Sequence, residues 1–369
     1  MQIVFRADAS GMIGSGHVMR CLTLADALHA KGSEILFVCR AHEGHLGGLI
    51  EQRGHKAALL PEPAHPPTVS DYLSWLGADW QTDAEETITT MDRYGMSGPD
   101  WIIADHYAID CRWEGTLRGH AARLMVIDDL AIRRHDCDLL LDQNLVRDFE
   151  RRYDGLIPEN ALTLLGPRYA LLAPEYAALH EKAKPRSGPV RRILVFFGGS
   201  DPCGLTRKTL SAFLTLARRD IDLDIVLGRM APDRNEIETL AAGQKNIHLH
   251  GDLPSLAPLM AEADLAIGAG GATSWERLCL KLPALIVTVA DNQVPVAQEL
   301  DRLGLIRWLG PANAVDETLL LDALMSQTTA PPDSVFRTDT RLVDGRGAER
   351  IVQRMLAAAS ASWSTRRLD

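Results

Sequence analysis

The residues able to do chemistry in this chain gather in three glycine-rich turns, and one of the turns ends in a histidine. Arg6-Ala7-Asp8-Ala9-Ser10-Gly11-Met12-Ile13-Gly14-Ser15-Gly16-His17 follows the apolar run Ile3-Val4-Phe5 and precedes an amphipathic helical stretch, Val18 to Leu28. Glycines 11, 14 and 16 let the backbone turn tightly and approach a ligand closely. His17 falls in the first helical turn, where unpaired N–H groups and the positive end of the helix dipole disfavour an imidazolium. A histidine in that setting stays neutral and basic near pH 7, suited to taking a proton from water. The alternative is a histidine that merely packs at a helix start.

A second turn, Gly268-Ala269-Gly270-Gly271-Ala272-Thr273-Ser274, opens the helix that continues Trp275-Glu276-Arg277-Leu278-Cys279-Leu280. Free N–H groups, two hydroxyls and a helix dipole converge there as a phosphate site, with Gly270, Gly271, Thr273 and Ser274 as its contacts. Glu276, one turn in, can accept hydrogen bonds from vicinal ribose hydroxyls. The competing reading makes Thr273 or Ser274 a plain helix cap. The third turn, Gly198-Gly199-Ser200-Asp201-Pro202, is either a phosphate or sugar contact through Gly199 or a strand-to-helix turn capped by Asp201. No turn matches GxxxxGK[ST], and the first lacks GxGxxG, which disfavours NTPase and dinucleotide readings. Asp8, Asp105, His106, Tyr107 and Asn144 stand at strand ends, with Asp128-Asp129 beside them; each is a sugar ligand or a turn and cap residue.

The elements that must position these residues alternate. Ile3–Phe5, Glu34–Cys39, Trp101–Ala104, Leu124–Ile127 and Leu139–Leu141 read as short strands, and Asp83 to Tyr94 as a polar helix with acids at its front. Pro61 to Pro67 reads as a proline-rich loop and Lys182 to Pro189 as a linker. The pattern then restarts with Arg192–Phe197, Leu223–Leu227, Ile247–Leu249, Leu265–Ile267 and Ala284–Val289, and closes with a helix over Gly347 to Ala359. That rhythm predicts an α/β protein of two parallel-sheet, Rossmann-like domains, 1–184 and 190–345, with 346–369 packing back on the first. Ligands of such sheets bind beyond the carboxyl ends of the strands, so an interdomain cleft faced by all three turns is expected.

Composition narrows the classes. Across 369 residues, 46% hydrophobic and 24% charged, the net charge of −10 argues against nonspecific nucleic-acid binding. No apolar run approaches the ~20 residues of a membrane span, and no export signal is evident, so a cytoplasmic protein without stable membrane insertion is expected. Six cysteines form no CxxC, and His42, His45, His55 and His65 lack ligand spacing, so no metal is expected.

Arg6-Ala7-Asp8…Gly14-Ser15-Gly16-His17-Val18-Met19-Arg20, Phe196-Phe197-Gly198-Gly199-Ser200-Asp201-Pro202 and Gly268–Arg277 form a composite with Asp105-His106-Tyr107, Ile127-Asp128-Asp129, Asp142-Gln143-Asn144 and Ala290-Asp291-Asn292-Gln293. Together they resemble the UDP-sugar hydrolases of pseudaminic acid biosynthesis over residues 2 to 355. The resemblance implies a GT-B fold and cofactor-free, metal-independent cleavage of a UDP-sugar with water as acceptor. It makes His17 the catalytic residue and places Thr273, Ser274 and Glu276 at the UDP. It puts Asp291, Asn292 and Gln293 near the sugar or diphosphate. Beside it, the strand-end positions of Asp8, Tyr107 and Asn144 and the room made by Gly14 and Gly16 lead to their expected place on the sugar side. UDP is a good leaving group, so a base that activates water suffices, and the two carboxylates of ordinary glycosidases are not required. A glycosyltransferase or epimerase of the same fold, or a noncatalytic nucleotide-sugar binding module, are the rival readings.

Overall fold

The computed structural model describes the chain except residues 66, 69–70, 229–230, 252, 330–335, 338–340 and 366–369, and the side chains of 360–365. Pro66 of the proline-rich loop and the last four residues of the C-terminal segment thus lie outside the described residues. Two compact units emerge: residues 1–144, 148–172 and 346–369, and residues 145–147 with 173–345.

The first unit runs β1 (Gln2–Ala7), α1 (Gly16–His29), β2 (Glu34–Arg40), α2 (Gly47–Gln52), β3 (Lys56–Leu60), α3 (Trp80–Arg93), β4 (Trp101–Asp105), α4 (Cys111–Leu117), β5 (Leu124–Ile127), β6 (Leu139–Asp142) and β7 (Leu162–Leu165). Its seven strands form a parallel sheet ordered β3-β2-β1-β4-β5-β6-β7. The order reverses between β1 and β4, the switch point beyond which ligands of such sheets sit. Both strands are buried on both faces, and their residues sort by parity. Ile3, Phe5, Trp101 and Ile103 pack with Leu22 and Ala25 of α1, whereas Val4, Ile102 and Ala104 pack with Met91 of α3 and Trp113 of α4. Arg6 belongs to the second face. It is fully buried, with Nη2 2.7 Å from Asp83 Oδ2 and Nη1 2.6 Å from Asp8 Oδ1.

The second unit runs α5 (Pro174–Lys182), β8 (Arg192–Phe196), α6 (Leu205–Leu216), β9 (Asp222–Leu227), α7 (Arg234–Ala241), β10 (Ile247–Gly251), α8 (Ala257–Glu262), β11 (Leu265–Ala269), α9 (Ala272–Cys279), β12 (Ala284–Thr288), α10 (Val294–Arg302), β13 (Arg307–Pro311) and α11 (Glu317–Thr329). Its parallel sheet is ordered β10-β9-β8-β11-β12-β13, with the switch point between β8 and β11. The final helix, α12 (Gly347–Thr365), returns to the first unit, where Ile351, Val352 and Met355 enter the core beside α1. Burying three such side chains contributes roughly 1.5–3 kcal/mol each, enough to hold the helix against fraying.

Three differences from the sequence reading have physical causes. The strands β3, β7 and β13, absent from that reading, are sheet edges, short and partly exposed: β3 opens on a lysine, β13 carries Arg, Gly and Pro, and β7 is only four residues, two of them exposed. The polar helix begins at Trp80 under an Asp79 cap, three residues before the sequence reading places it; Asp83 is the acid of its first turn, and it is also fully buried against Arg6 and Arg40. The stretch 182–189 is no free linker. Arg186 donates to the carbonyls of Met260, Ala261 and Ala263, the open C-terminal end of α8, so the units part at Leu172/Ala173 and α5 goes with the second.

Behind the first switch point, His135 is buried with Nδ1 2.7 Å from Glu114 Oε1 on α4 and Nε2 facing Asp128. Burial opposes its charged form, but the nearby Asp128 charge and the hydrogen bond to Glu114 outweigh it and push the imidazole up to about 9 from 6.5. A raised folded-state value stabilises fully below the unfolded value and fades as pH rises through the folded one. Unfolding free energy is therefore expected to fall between about pH 6.5 and 9 with a slope near 1.4 kcal/mol per pH unit from this group, and His135→Gln flattens that slope in urea titrations.

Candidate active site

The turn after β1 is built by Ser10. Its hydroxyl accepts the amides of Met12 (3.1 Å) and Ile13 (2.9 Å), and its carbonyl accepts that of Gly14 (2.9 Å). Gly14 has φ +81°, a left-handed conformation that glycine adopts without penalty. Gly16 is the first residue of α1, exposed, with no atom within 4 Å of where a Cβ would stand. No side chain caps α1, and His17 occupies its second position.

His17 is 6% exposed, and its Nδ1 lies 2.6 Å from Asp105 Oδ1 at the end of β4. Parallel register sets Asp105 beside Ala7, and parity turns it toward α1. Arg20, one helical turn beyond His17, grips the same carboxylate with Nε to Oδ2 and Nη2 to Oδ1, both 2.6 Å. Burial alone would raise the Asp105 carboxyl, yet Arg20 and His17 hold it well below the usual carboxylate range. An ionised carboxylate only accepts, so the hydrogen in the 2.6 Å contact belongs to Nδ1, which in the neutral ring is the tautomer that leaves the lone pair on Nε2. The Tyr107 ring meets His17 edge-on at 4.6 Å, and Trp75, Tyr72 and Ile13 complete an apolar wall around it.

Several strand-end residues face inward. Asp8 is fully buried, its Oδ1 taken by Arg6 Nη1 and the Arg40 amide at 2.6 Å each, with His106 Nε2 3.4 Å from Oδ2. That corrects the expectation of a sugar contact: a carboxylate spent on two internal donors anchors the root of the turn. Asp105 and His106 are likewise internal, as is Asp128, which holds its own loop through the Ala131 amide and Arg133. Asn144 is part-buried at the end of β6, its amide on Asp142 Oδ1 (2.8 Å).

In the second unit, α9 starts at Gly271, which offers no side chain to cap it. Neither Thr273 nor Ser274 acts as a cap. The Thr273 hydroxyl accepts from Arg277, and Ser274 is buried with its amide on the Gly271 carbonyl (2.9 Å). Gln293 lies over the turn: a Cβ on Gly270 would come 3.0 Å from its Oε1 and one on Gly271 3.7 Å from its Nε2, while its Oε1 accepts the Val289 amide. Asn292 stands beside it, part-buried. Beneath the turn, Arg277 is 3% exposed and donates to the Ala269 carbonyl at 2.6 Å, leaving Nη1 buried without a partner. Burial lowers this guanidinium to about 10 despite Glu276 beside it. Glu276 is raised by burial, partly offset by the Tyr176 phenol, and its Oε2 is buried without a partner. The turn after β8 differs. Asp201 accepts the first amides of α6, Leu205 (3.0 Å) and Thr206 (2.8 Å), so that helix mouth is filled from within, and the Gly199 carbonyl packs against Gly228.

Arg20, Arg277 and Ser10 were not singled out from sequence. Arg20 carried a readable signal, its i+3 spacing from His17 on one helix face. Among the described residues no group of three His, Cys, Asp or Glu is arranged to hold a metal, and no helix is long and apolar enough to cross a membrane. Removing one partner of a buried ion pair strands the other, so Asp105→Asn is expected to lower unfolding free energy by about 3–5 kcal/mol, with Arg20→Met recovering part of it in the double variant.

No protein-family model matches the chain. It is 25% identical over 304 residues to the UDP-2,4-diacetamido-2,4,6-trideoxy-beta-L-altropyranose hydrolase of Campylobacter jejuni, covering 82% of this chain and 97% of that one. It is 25% identical to an uncharacterized protein of Methanocaldococcus jannaschii over 78% of this chain, and 30% identical to the spore coat polysaccharide biosynthesis protein SpsG of Bacillus subtilis over 50% of it. The chain spans only about half the length of these last two, 55% and 56%. Among solved structures, MurG of Acinetobacter baumannii superposes with a TM-score of 0.63 at 13% identity, covering 96% of this chain and 99% of that one. The calicheamicin glycosyltransferase CalG4 gives 0.57 at 15%, covering 97% and 94%. The fold is GT-B, and the chain resembles the UDP-2,4-diacetamido-2,4,6-trideoxy-β-L-altropyranose hydrolase over most of its length.

Proposed function

We propose that this chain is a metal-independent hydrolase that cleaves the C1–O bond of UDP-2,4-diacetamido-2,4,6-trideoxy-β-L-altropyranose with water, inverting C1 and releasing UDP and the free sugar. The observation that carries the reading is the 2.6 Å contact between His17 Nδ1 and the ionised Asp105 at a strand-order switch point. With Nδ1–H given to Asp105, Nε2 takes the proton from water as oxygen attacks C1, and the imidazolium that forms faces a carboxylate. Electrons of the C1–O bond leave with UDP. The uncapped mouth of α9, with the Arg277 cation beneath it, stabilises the growing phosphate charge.

In this reading Gly270, Gly271, Thr273 and Ser274 contact the diphosphate, Gly199 lies on the UDP side, and Glu276 accepts from the ribose. Gly14, Gly16, Tyr107, Asn144, Asn292 and Gln293 serve the sugar. Glycine at 14 and 16 leaves room for the pyranose and the attacking water.

His17→Ala is expected to abolish turnover while UDP affinity by calorimetry stays within a few-fold; a variant that kept its rate would remove the base. Run in H₂¹⁸O, the reaction puts label in the sugar. Label in UDP would mean P–O cleavage, and turnover that required a second acceptor would make the chain a transferase. A chelator leaves the rate unchanged. Ala272→Asp, which brings a carboxylate to the mouth of α9, weakens UDP binding about tenfold or more.

A further inference from the structure

Asp129 touches neither His17 nor Asp105, yet it holds two residues that do. Its Oδ2 accepts from Arg20 Nη1 at 2.9 Å, and its carboxylate takes the Tyr107 phenol, while Oδ1 is buried with no partner of its own. Arg20 is the residue whose other two nitrogens clamp Asp105, and Tyr107 is the ring set edge-on to His17. Burial, and next the Asp129 charge beside it, pushes the Tyr107 phenol well above its usual range, so it stays a neutral O–H donor next to that carboxylate. The backbone at Asp129 is secured by other means. Arg152 donates to the Asp129 carbonyl at 2.8 Å, and the Tyr153 hydroxyl to that of Asp128 at 3.0 Å. The side chain is thus not needed to build the loop.

We propose that Asp129 is a positioning residue for His17, acting through Arg20 and Tyr107 as the shared acceptor that fixes both around the His17–Asp105 pair. This rests on the proposed role of His17. Asp129 gives Arg20 a second counter-charge beside Asp105; an asparagine there removes that charge and buries an NH₂ where Oδ1 has no partner to offer it an acceptor. Arg20 is then free to shift on Asp105, and the imidazole loses its fixed orientation. The charged and titratable groups facing His17 are Asp105 from β4, Arg20 from α1 and Tyr107 after β4, with His106 behind, so a change at Asp129 reaches His17 through two of its neighbours.

The test compares Asp129→Asn and Asp129→Glu with the parent chain, after urea unfolding confirms that each folds. In Asp129→Asn, kcat falls roughly tenfold or more while KM and the UDP Kd stay within about twofold, the signature of misplaced chemistry and not of lost binding. Asp129→Glu restores most of the rate. In a Tyr107→Phe background the Asp129→Asn loss shrinks, because the two act on one target. A KM-only effect, full additivity with Tyr107→Phe, or no rescue by Glu overturns the proposal. A substrate-free readout separates it from the hydrolase reading. The short His17–Asp105 contact gives a low-field Nδ1 proton in NMR, assigned by its loss in His17→Gln. That signal weakens or moves upfield in Asp129→Asn and persists in Asp129→Glu. If the parent turned over no UDP-sugar, the hydrolase reading alone would fall; an unmoved proton signal in Asp129→Asn would overturn the positioning role whatever the activity.

Discussion

A buried carboxylate that must stay charged governs the first unit. Asp105 ends a strand enclosed on both faces, where an isolated ion is costly, so it persists only with close opposite charge and good hydrogen bonds. Arg20 supplies the charge with two 2.6 Å contacts, and His17 supplies one N–H. The turn then has to deliver both from a single helix, one turn apart. That fixes where α1 begins, which in turn fixes the Ser10 turn and the left-handed glycine at 14. The helix dipole, which sequence alone suggested as the device that governs His17, is one of several fields there. Asp105 opposes it, Arg20 reinforces it, and the orientation of the ring comes from the carboxylate.

The next layer obeys the same constraint at higher charge density. Arg6, Asp8, Asp83 and Arg40 interlock beneath the turn, all essentially excluded from solvent. Replacing such networks by apolar groups often costs nothing in stability. Their value here is geometric: Asp8 binds both the Arg6 guanidinium and the Arg40 amide, so the carboxyl ends of β1 and β2 are locked in register where the turn departs. Cores packed by apolar contacts alone tolerate sliding; directional ion pairs do not.

Central strands were legible because two-sided burial demands unbroken apolar runs, and β1, β4, β8 and β11 have them. Edge strands β3, β7 and β13 were not, because an edge needs only one covered side: β3 and β13 admit Lys, Arg, Gly and Pro, and β7 is only four residues long, whereas the edge strand β10 was found. The three glycine turns were found where the structure has them, and His17 is where the spacing put it. What could not be read was pairing across the chain. Asp105 is 88 residues from His17 and looked like another strand-end polar group. Asp8 looked the same and serves a different purpose. Only the β1–β4 register, which is tertiary, tells the two apart: parity sends Asp105 toward α1 and leaves Asp8 to the Arg6 network.

The two turns of the second unit make the same point about helix mouths. After β8 and after β11 the chain leaves the switch point through glycine and enters a helix, and by sequence either mouth suits phosphate. One encodes its own anion: Asp201 folds back onto the first amides of α6 and satisfies the dipole internally. The other begins at Gly271, with no side chain to fold back, and adds a buried guanidinium with an unused N–H. A glycine in place of a side-chain cap costs about a few tenths of a kcal/mol, and burying Arg277 lowers its proton affinity. Both penalties run against stability and in favour of an external anion. Their coincidence at α9 and absence at α6 is the physical ground for the proposed placement of the nucleotide at the Gly268–Ser274 turn.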